Sequence, residues 1–165
     1  MDVVLINPQI PQNTGSIART CAATHTPLHL VGKLGFDISE KAVRRAGLDY
    51  WPHVELYQHQ NWSAYYNQHK PANVWLLSKF GRKIYYAAEF GPKDALVFGC
   101  ETKGLGQEFL ELFPSDNILQ IPINCPAIRS LNLSNAVAIV LYESRRQLCL
   151  TRGPSPEHSL ASSCS

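Results

Sequence analysis

Three short stretches of the chain combine residue types that can hold a ligand. The first is Asn13-Thr14-Gly15-Ser16-Ile17-Ala18-Arg19. Glycine admits close approach of a backbone or a ligand. Arg19, one helical turn beyond Gly15, offers five donors and a permanent charge suited to a phosphate. The second is Phe98-Gly99-Cys100-Glu101-Thr102-Lys103-Gly104-Leu105-Gly106, an apolar run that ends at a glycine and continues with an acid and two more glycines. The third runs from Ile121-Pro122-Ile123-Asn124-Cys125-Pro126 into a segment with Arg129, Ser130, Asn132, Ser134 and Asn135 at one end and only apolar residues from Ala136 to Leu141. Polarity gathered at one end, rather than along one face, marks the first turn of a buried helix, where unpaired backbone donors make a seat for a ligand. Each stretch alone also has a plainer reading: a capped helix with a surface arginine, an ordinary glycine-rich turn, a stiff proline connector.

The elements around these stretches follow from hydrophobic patterning. Residues 3–6 form a short apolar run stopped by Asn7-Pro8, and 28–31, 74–77, 95–98 and 118–121 repeat the pattern, with a weaker strand at 54–57. Between them lie predicted helices: 13–23, capped by Asn13 or Thr14; 39–46, capped by Ser39 and stopped by Gly47; 61–69; 107–113, ended by Pro114; and 130–148, the longest. Apolar strands alternating with helices predict an α/β fold, a mostly parallel sheet with helices on both faces. All three ligand-binding stretches then fall at the carboxyl ends of strands or at helix starts, where α/β proteins bind ligands.

At 165 residues the chain suits one domain. The composition changes near Leu150 to Thr-Arg-Gly-Pro-Ser-Pro, which divides a 1–149 domain from a 150–165 tail. Net charge is only +2, so any RNA contact must come from local patches, such as Lys41, Arg44 and Arg45 on one predicted helical face. The five cysteines are widely spaced and read as free thiols in a reducing cytoplasm. Asp2 and Asn7-Pro8 interrupt the apolar N-terminal run, so neither a signal peptide nor a membrane span is expected. The histidines lack zinc-site spacing: His25 and His29 are separated by Pro27, and no metal is expected. Gly104-Leu105-Gly106 fails as a dinucleotide fingerprint, because Phe109 stands where the third glycine belongs.

Taken together, Asn13-x-Gly15-x-x-x-Arg19, Phe98-Gly99-x-Glu101-x-x-Gly104-Leu105, and Ile121-Pro122 followed by Ser130-Leu131-Asn132-Leu133-Ser134-Asn135-Ala136 resemble, in order and spacing, the three motifs of the SPOUT superfamily of RNA methyltransferases. Arg44-Arg45-Ala46-Gly47-Leu48-Asp49-Tyr50 is similar to the minimal single-domain branch that methylates the 2′-oxygen of the wobble nucleotide, position 34, of tRNA. Cys100 departs from the pattern, standing where a proline is usual. The resemblance implies a deep trefoil knot over about residues 74–148, against the usual rule of unknotted connections. It implies S-adenosylmethionine as cofactor, contacted by Leu77, Gly99, Ile121, Ser130 and Leu131. It further implies a homodimer whose sites borrow from both chains, Arg19 and Tyr142 at the reacting hydroxyl, and Arg129, Lys103, Arg44 and Arg45 against the tRNA anticodon loop. Glu101 would orient its loop or balance the sulfonium charge, and Asn132 and Asn135 would fasten loops. Two other functions remain open: methylation of another RNA, such as ribosomal RNA or a base nitrogen, and a non-catalytic RNA-binding module that keeps the cofactor pocket.

Overall fold

The computed structural model describes residues 1–38 and 49–152, with side chains as far as Cys149. Seven strands form one sheet: β1 (Asp2–Ile6), β2 (Leu28–Val31), β3 (Leu56–His59), β4 (Val74–Leu77), β5 (Lys83–Ile84), β6 (Ala95–Phe98) and β7 (Ile118–Gln120), in the order β3-β2-β1-β6-β4-β7-β5. Every pairing is parallel. The pleat sends alternate residues to opposite faces, and two cores result. Val3, Leu5, Leu28, Leu30, Leu96 and Phe98 pack beneath α1 (Pro11–Ala23) and α4 (Leu133–Arg152). Val4, Val31, Leu76 and Val97 pack on the other face, beneath Tyr65 of α2 (Trp62–His69) and Leu110 of α3 (Gln107–Leu110). Helices on both faces explain why β2 and β6 are apolar almost throughout and wholly buried.

The fold class and most elements agree with the sequence. The differences have local causes. Helix α1 starts at Pro11, where proline's fixed φ suits the first turn, so Asn13 and Thr14 lie inside the helix, buried, instead of capping it. Strand β3 begins two residues later than expected, because a 3-10 turn at Trp51–His53 takes up the chain and His59 pairs with Val31. Helix α3 ends at Leu110, and Leu112 and Phe113 continue only through i to i−3 bonds ahead of Pro114. Helix α4 begins at Leu133, with Asn132 as its cap, and continues past Leu150 to Arg152. Arg145 ties α4 to the end of α1 by donating to the Thr24 carbonyl at 2.7 Å. The helix expected at 39–46, with Lys41, Arg44 and Arg45, lies outside the described residues.

Strand β5, two residues long, is absent from the sequence reading. It places β7 between β4 and β5, so the β4–β5 connection must cross β7. Gly81 makes that crossing: a Cβ there would overlap the backbone of Leu119 and Gln120. Ser78 secures it, its amide donating to the Leu119 carbonyl at 2.9 Å.

Candidate active site

Strands β1 and β6 are neighbours, and the chain leaves their carboxyl ends for opposite faces, toward α1 and toward α3. Such a divergence opens a crevice at the strand ends. A cavity of about 910 Å³ lies at this end of the sheet, reached from β4, β6 and β7. Its floor is Leu77 and Phe98, and its walls are the 99–106 loop, Ile121, Ile123 and the 129–133 approach to α4. That volume is in the range that holds a nucleoside-sized ligand. Gly99 is obligatory here: a Cβ would overlap the backbone of Gly104 and Leu105, which folds back on it. The return is a tight turn in which the Gly104 amide donates to the Cys100 carbonyl at 2.9 Å, with Gly104 itself at φ 65°.

A continuous hydrogen-bond network holds the three stretches together. The Glu101 carboxylate accepts from the Gln9 amide at 2.9 Å, the Ile10 amide at 3.1 Å and Asn13 Nδ2 at 3.0 Å. Asn13 Oδ1 in turn accepts from Asn132 Nδ2 at 2.9 Å. Asn132 Oδ1 accepts from the Ser134 amide and hydroxyl, capping α4. One chain of side chains thus runs from the loop after β6, through α1, to the start of α4. Burial works against ionisation of Glu101, but the Asn13 side chain and the Gln9 and Ile10 amides outweigh it, and the carboxyl sits below its ordinary range. Of the two roles expected for Glu101, the geometry supports loop orientation, because its oxygens are already engaged. Asn132 is likewise the loop fastener expected of it.

The structure brings most of the expected residues together. Leu77, Gly99, Ile121, Ser130 and Leu131 all line the cavity, as do Lys103 and Arg129. Arg19 and Tyr142 do not. Arg19 is exposed on α1, its guanidinium 4.5 Å from the centre of the Tyr50 ring. The Tyr50 hydroxyl donates to the Gly15 carbonyl at 2.8 Å, so Gly15 and Arg19 meet the same tyrosine rather than the cavity. Tyr142 is 55% exposed on α4. Arg44 and Arg45 lie outside the described residues.

Sequence reasoning missed the loop after β4. Ser78, Lys79 and Phe80 line the cavity, and Phe80 is 65% exposed with Lys79 Nζ 5.0 Å from its ring centre. The available signal was position: this loop follows a wholly apolar strand at its carboxyl end, as the other loops lining the cavity do.

Residues 1–142 match the model of the SpoU rRNA Methylase family. The tRNA (cytidine(34)-2'-O)-methyltransferase of Saccharophagus degradans is 47% identical over 147 residues, covering 89% of this chain and 95% of that one. A solved structure concerned with 2-OH methylation of C/U34 on tRNA superposes with a TM-score of 0.81 at 45% identity, covering 89% of this chain and 95% of the other. An AdoMet-bound rRNA methyltransferase from Sinorhizobium meliloti superposes with a TM-score of 0.73 at 26% identity, over 89% of this chain and 56% of that one. With its parallel sheet, its crossing at Gly81 and its three joined loops, the chain belongs to the SpoU methylase family.

Proposed function

We propose that the chain is an S-adenosylmethionine-dependent methyltransferase acting on the ribose 2′-oxygen of nucleotide 34 of tRNA, a cytidine or a modified uridine. The observation that carries this reading is the convergence of three separate loops on one cavity, with Leu77, Gly99, Ile121, Ser130 and Leu131 all on its wall. The names of the relatives at 41–47% identity support the substrate, and the AdoMet-bound relative supports the cofactor. The cavity fits such a cofactor. It combines apolar side chains from Leu77, Phe98 and Ile121 with the loop backbone at 99–106, a surface suited to an adenosine. The cofactor supplies an electrophilic methyl group on a sulfonium.

The residues of the chain then have to deliver a poor nucleophile. A ribose hydroxyl must be positioned and relieved of its proton. Arg19 grips the neighbouring phosphate and polarises the hydroxyl; it does not act as the base, since a guanidinium stays protonated. The proton leaves through that phosphate or through water. Lys103 and Arg129 at the cavity, with Arg44 and Arg45, hold the anticodon loop, whose splayed bases suit a small enzyme. Phe80, exposed at the cavity, offers a stacking face for one of those bases.

Two chains complete each site in this reading. Arg19 and Tyr142 stand exposed on α1 and α4, off the cavity of their own chain, and the two helices pack side by side on one face of the sheet. A homodimer through that face presents both residues to the partner's cavity. The segment 74–148 is threaded as a trefoil knot, for which the crossing of β7 by the β4–β5 connection at Gly81 is the supporting feature. The methyltransferase domain reaches to about residue 149 in this reading, with α4 itself running on to Arg152, and the protein works in the cytoplasm with its tRNA. Among the described residues no helix is long and apolar enough to cross a membrane.

The test is transfer of labelled methyl from S-adenosylmethionine to an unmodified tRNA transcript. Incorporation is expected with a ribose at position 34 and is lost when that nucleotide is 2′-deoxy. Equal labelling of both tRNAs, or labelling of ribosomal RNA alone, contradicts the assignment.

A further inference from the structure

Strand β2 is buried at all four residues, yet its second residue is His29, with no exposed surface. The pleat directs it, with Val4 and Val31, beneath α2. Two further histidines meet it there: His59 from the end of edge strand β3, and His69 from the last turn of α2. His29 Nδ1 lies 3.0 Å from His59 Nε2, and the His29 and His69 ring centres are 4.4 Å apart. Each of the three imidazoles offers a ring nitrogen within 4.8 Å of the others. Asp2, at the start of β1, closes the group: its Oδ2 is 3.4 Å from His29 Nε2 and 3.8 Å from His69 Nδ1, and accepts from the Tyr65 hydroxyl at 2.9 Å.

A second observation points to a ligand. His69 Nε2 is a buried ring nitrogen without a hydrogen-bond partner. Buried polar atoms are ordinarily satisfied, and unpaired ones ask for an explanation. Neutral imidazole nitrogen is a preferred ligand of zinc and its neighbours, and three histidines with a water suit a tetrahedral ion. Ligands about 2.0–2.1 Å from zinc stand roughly 3.3 Å from one another. The 3.0 Å separation of His29 Nδ1 and His59 Nε2 already approaches this, and side-chain rotation brings in a His69 ring nitrogen. Burial and the neighbouring rings hold His59 and His69 below the ordinary histidine pKa, which favours the neutral, ligating form.

We propose that His29, His59 and His69 form a site for a divalent first-row transition cation, zinc in the first instance, with water as the fourth ligand and Asp2 behind the imidazoles to orient them. The ion is structural: its three protein ligands lie beneath α2, away from the cavity that would take substrate. It staples β2, β3 and α2 together on the side of the sheet away from α1 and α4. Asp2 opens β1, whereas the cavity lies at the carboxyl ends of the strands, so the site is separate from the methyl-transfer machinery. Asp2 and His69 are partly exposed, about 21% and 22%, which gives the ion a way in.

The test uses the full chain stripped by a chelator, with Co2+ as the optical probe and Zn2+ in thermal unfolding. One Co2+ per chain is expected, with the strong visible bands of a tetrahedral nitrogen–oxygen site and no thiolate charge-transfer band. Zn2+ is expected to raise Tm. Both responses should vanish in His59→Gln/His69→Gln while circular dichroism stays native. His69→Gln, at the partly exposed end of α2, serves alone if the double variant fails to fold. Failure to bind Co2+ stoichiometrically, or binding unchanged in the variants, overturns the proposal.

Discussion

Replacing Glu101 tests whether the network truly holds the cavity together. Its carboxylate accepts three hydrogen bonds, two at Oε1 (Ile10 amide and Asn13 Nδ2) and one at Oε2 (Gln9 amide). Glu101→Gln keeps one acceptor oxygen, so either orientation of the amide points a donor at a donor. A hydrogen bond to a charged group contributes about 1.5–3 kcal/mol when buried, and Glu101 is only half-buried, so screening reduces this to roughly 1 kcal/mol each. Glu101→Gln should therefore cost about 1 kcal/mol and Glu101→Ala about 2–3 kcal/mol. For a chain of this size those losses lower Tm by roughly 2–4 °C per kcal/mol. The same loosening frees the 99–106 wall, and S-adenosylmethionine affinity should fall about ten-fold for each 1.4 kcal/mol lost. Thermal unfolding and titration calorimetry measure the two effects. Acid offers a second route to the same perturbation. The carboxyl's pKa is depressed in the fold, so its contribution is complete above the ordinary value of 4.5 and is lost as pH falls through the lower folded value. Wild-type affinity should drop in that window while Glu101→Gln stays flat. A Glu101→Ala protein with native Tm and native affinity would refute the reasoning.

Other expectations are simpler. Arg19→Ala should keep cofactor affinity, because Arg19 acts on the substrate's phosphate and hydroxyl rather than on the cofactor, and lose roughly 10²-fold or more in methyl-transfer rate, read in single-turnover assays. Phe80→Ala should weaken tRNA binding by about 1–3 kcal/mol with cofactor affinity unchanged, if its exposed ring stacks on a base. Asn132→Ala removes the α4 cap and the bond to Asn13, and should cost about 1 kcal/mol of stability by denaturant unfolding. Burial raises the Cys21 thiol to about 12, so thiol titration of the native protein at pH 8 should modify exposed Cys125 and Cys149 and leave Cys21 untouched until denaturant is added.

The sheet was legible where burial dominates. Strands β1, β2, β4 and β6 are apolar nearly throughout because helices cover both faces, and those runs announce themselves. Strand β5 makes only two residues of pairing, and Lys83-Ile84 carries too little pattern to read. Long-range demands displaced local rules elsewhere. Asn13 has the chemistry of a cap, but its side chain bridges Glu101 and Asn132, 88 and 119 residues away. The loops lining the cavity were readable because strand ends and helix starts place them together; the direction of Arg19 was not, since it depends on Tyr50, which sits 35 residues beyond Gly15 and bonds to it. The histidine cluster was invisible for the same reason. His29 and His59 stand 30 residues apart, and only the parallel pairing of β2 with β3 brings them into contact.

The account rests most heavily on where the methyl group goes. Nucleosides digested from tRNA of a strain carrying this chain, and of the same strain lacking it, can be compared by mass spectrometry. The account expects a 2′-O-methylated nucleoside at position 34 that disappears with the gene and returns with the wild-type chain but not with Arg19→Ala. A position-34 ribose methylated equally in both strains, or a methyl found on a base instead, would contradict it.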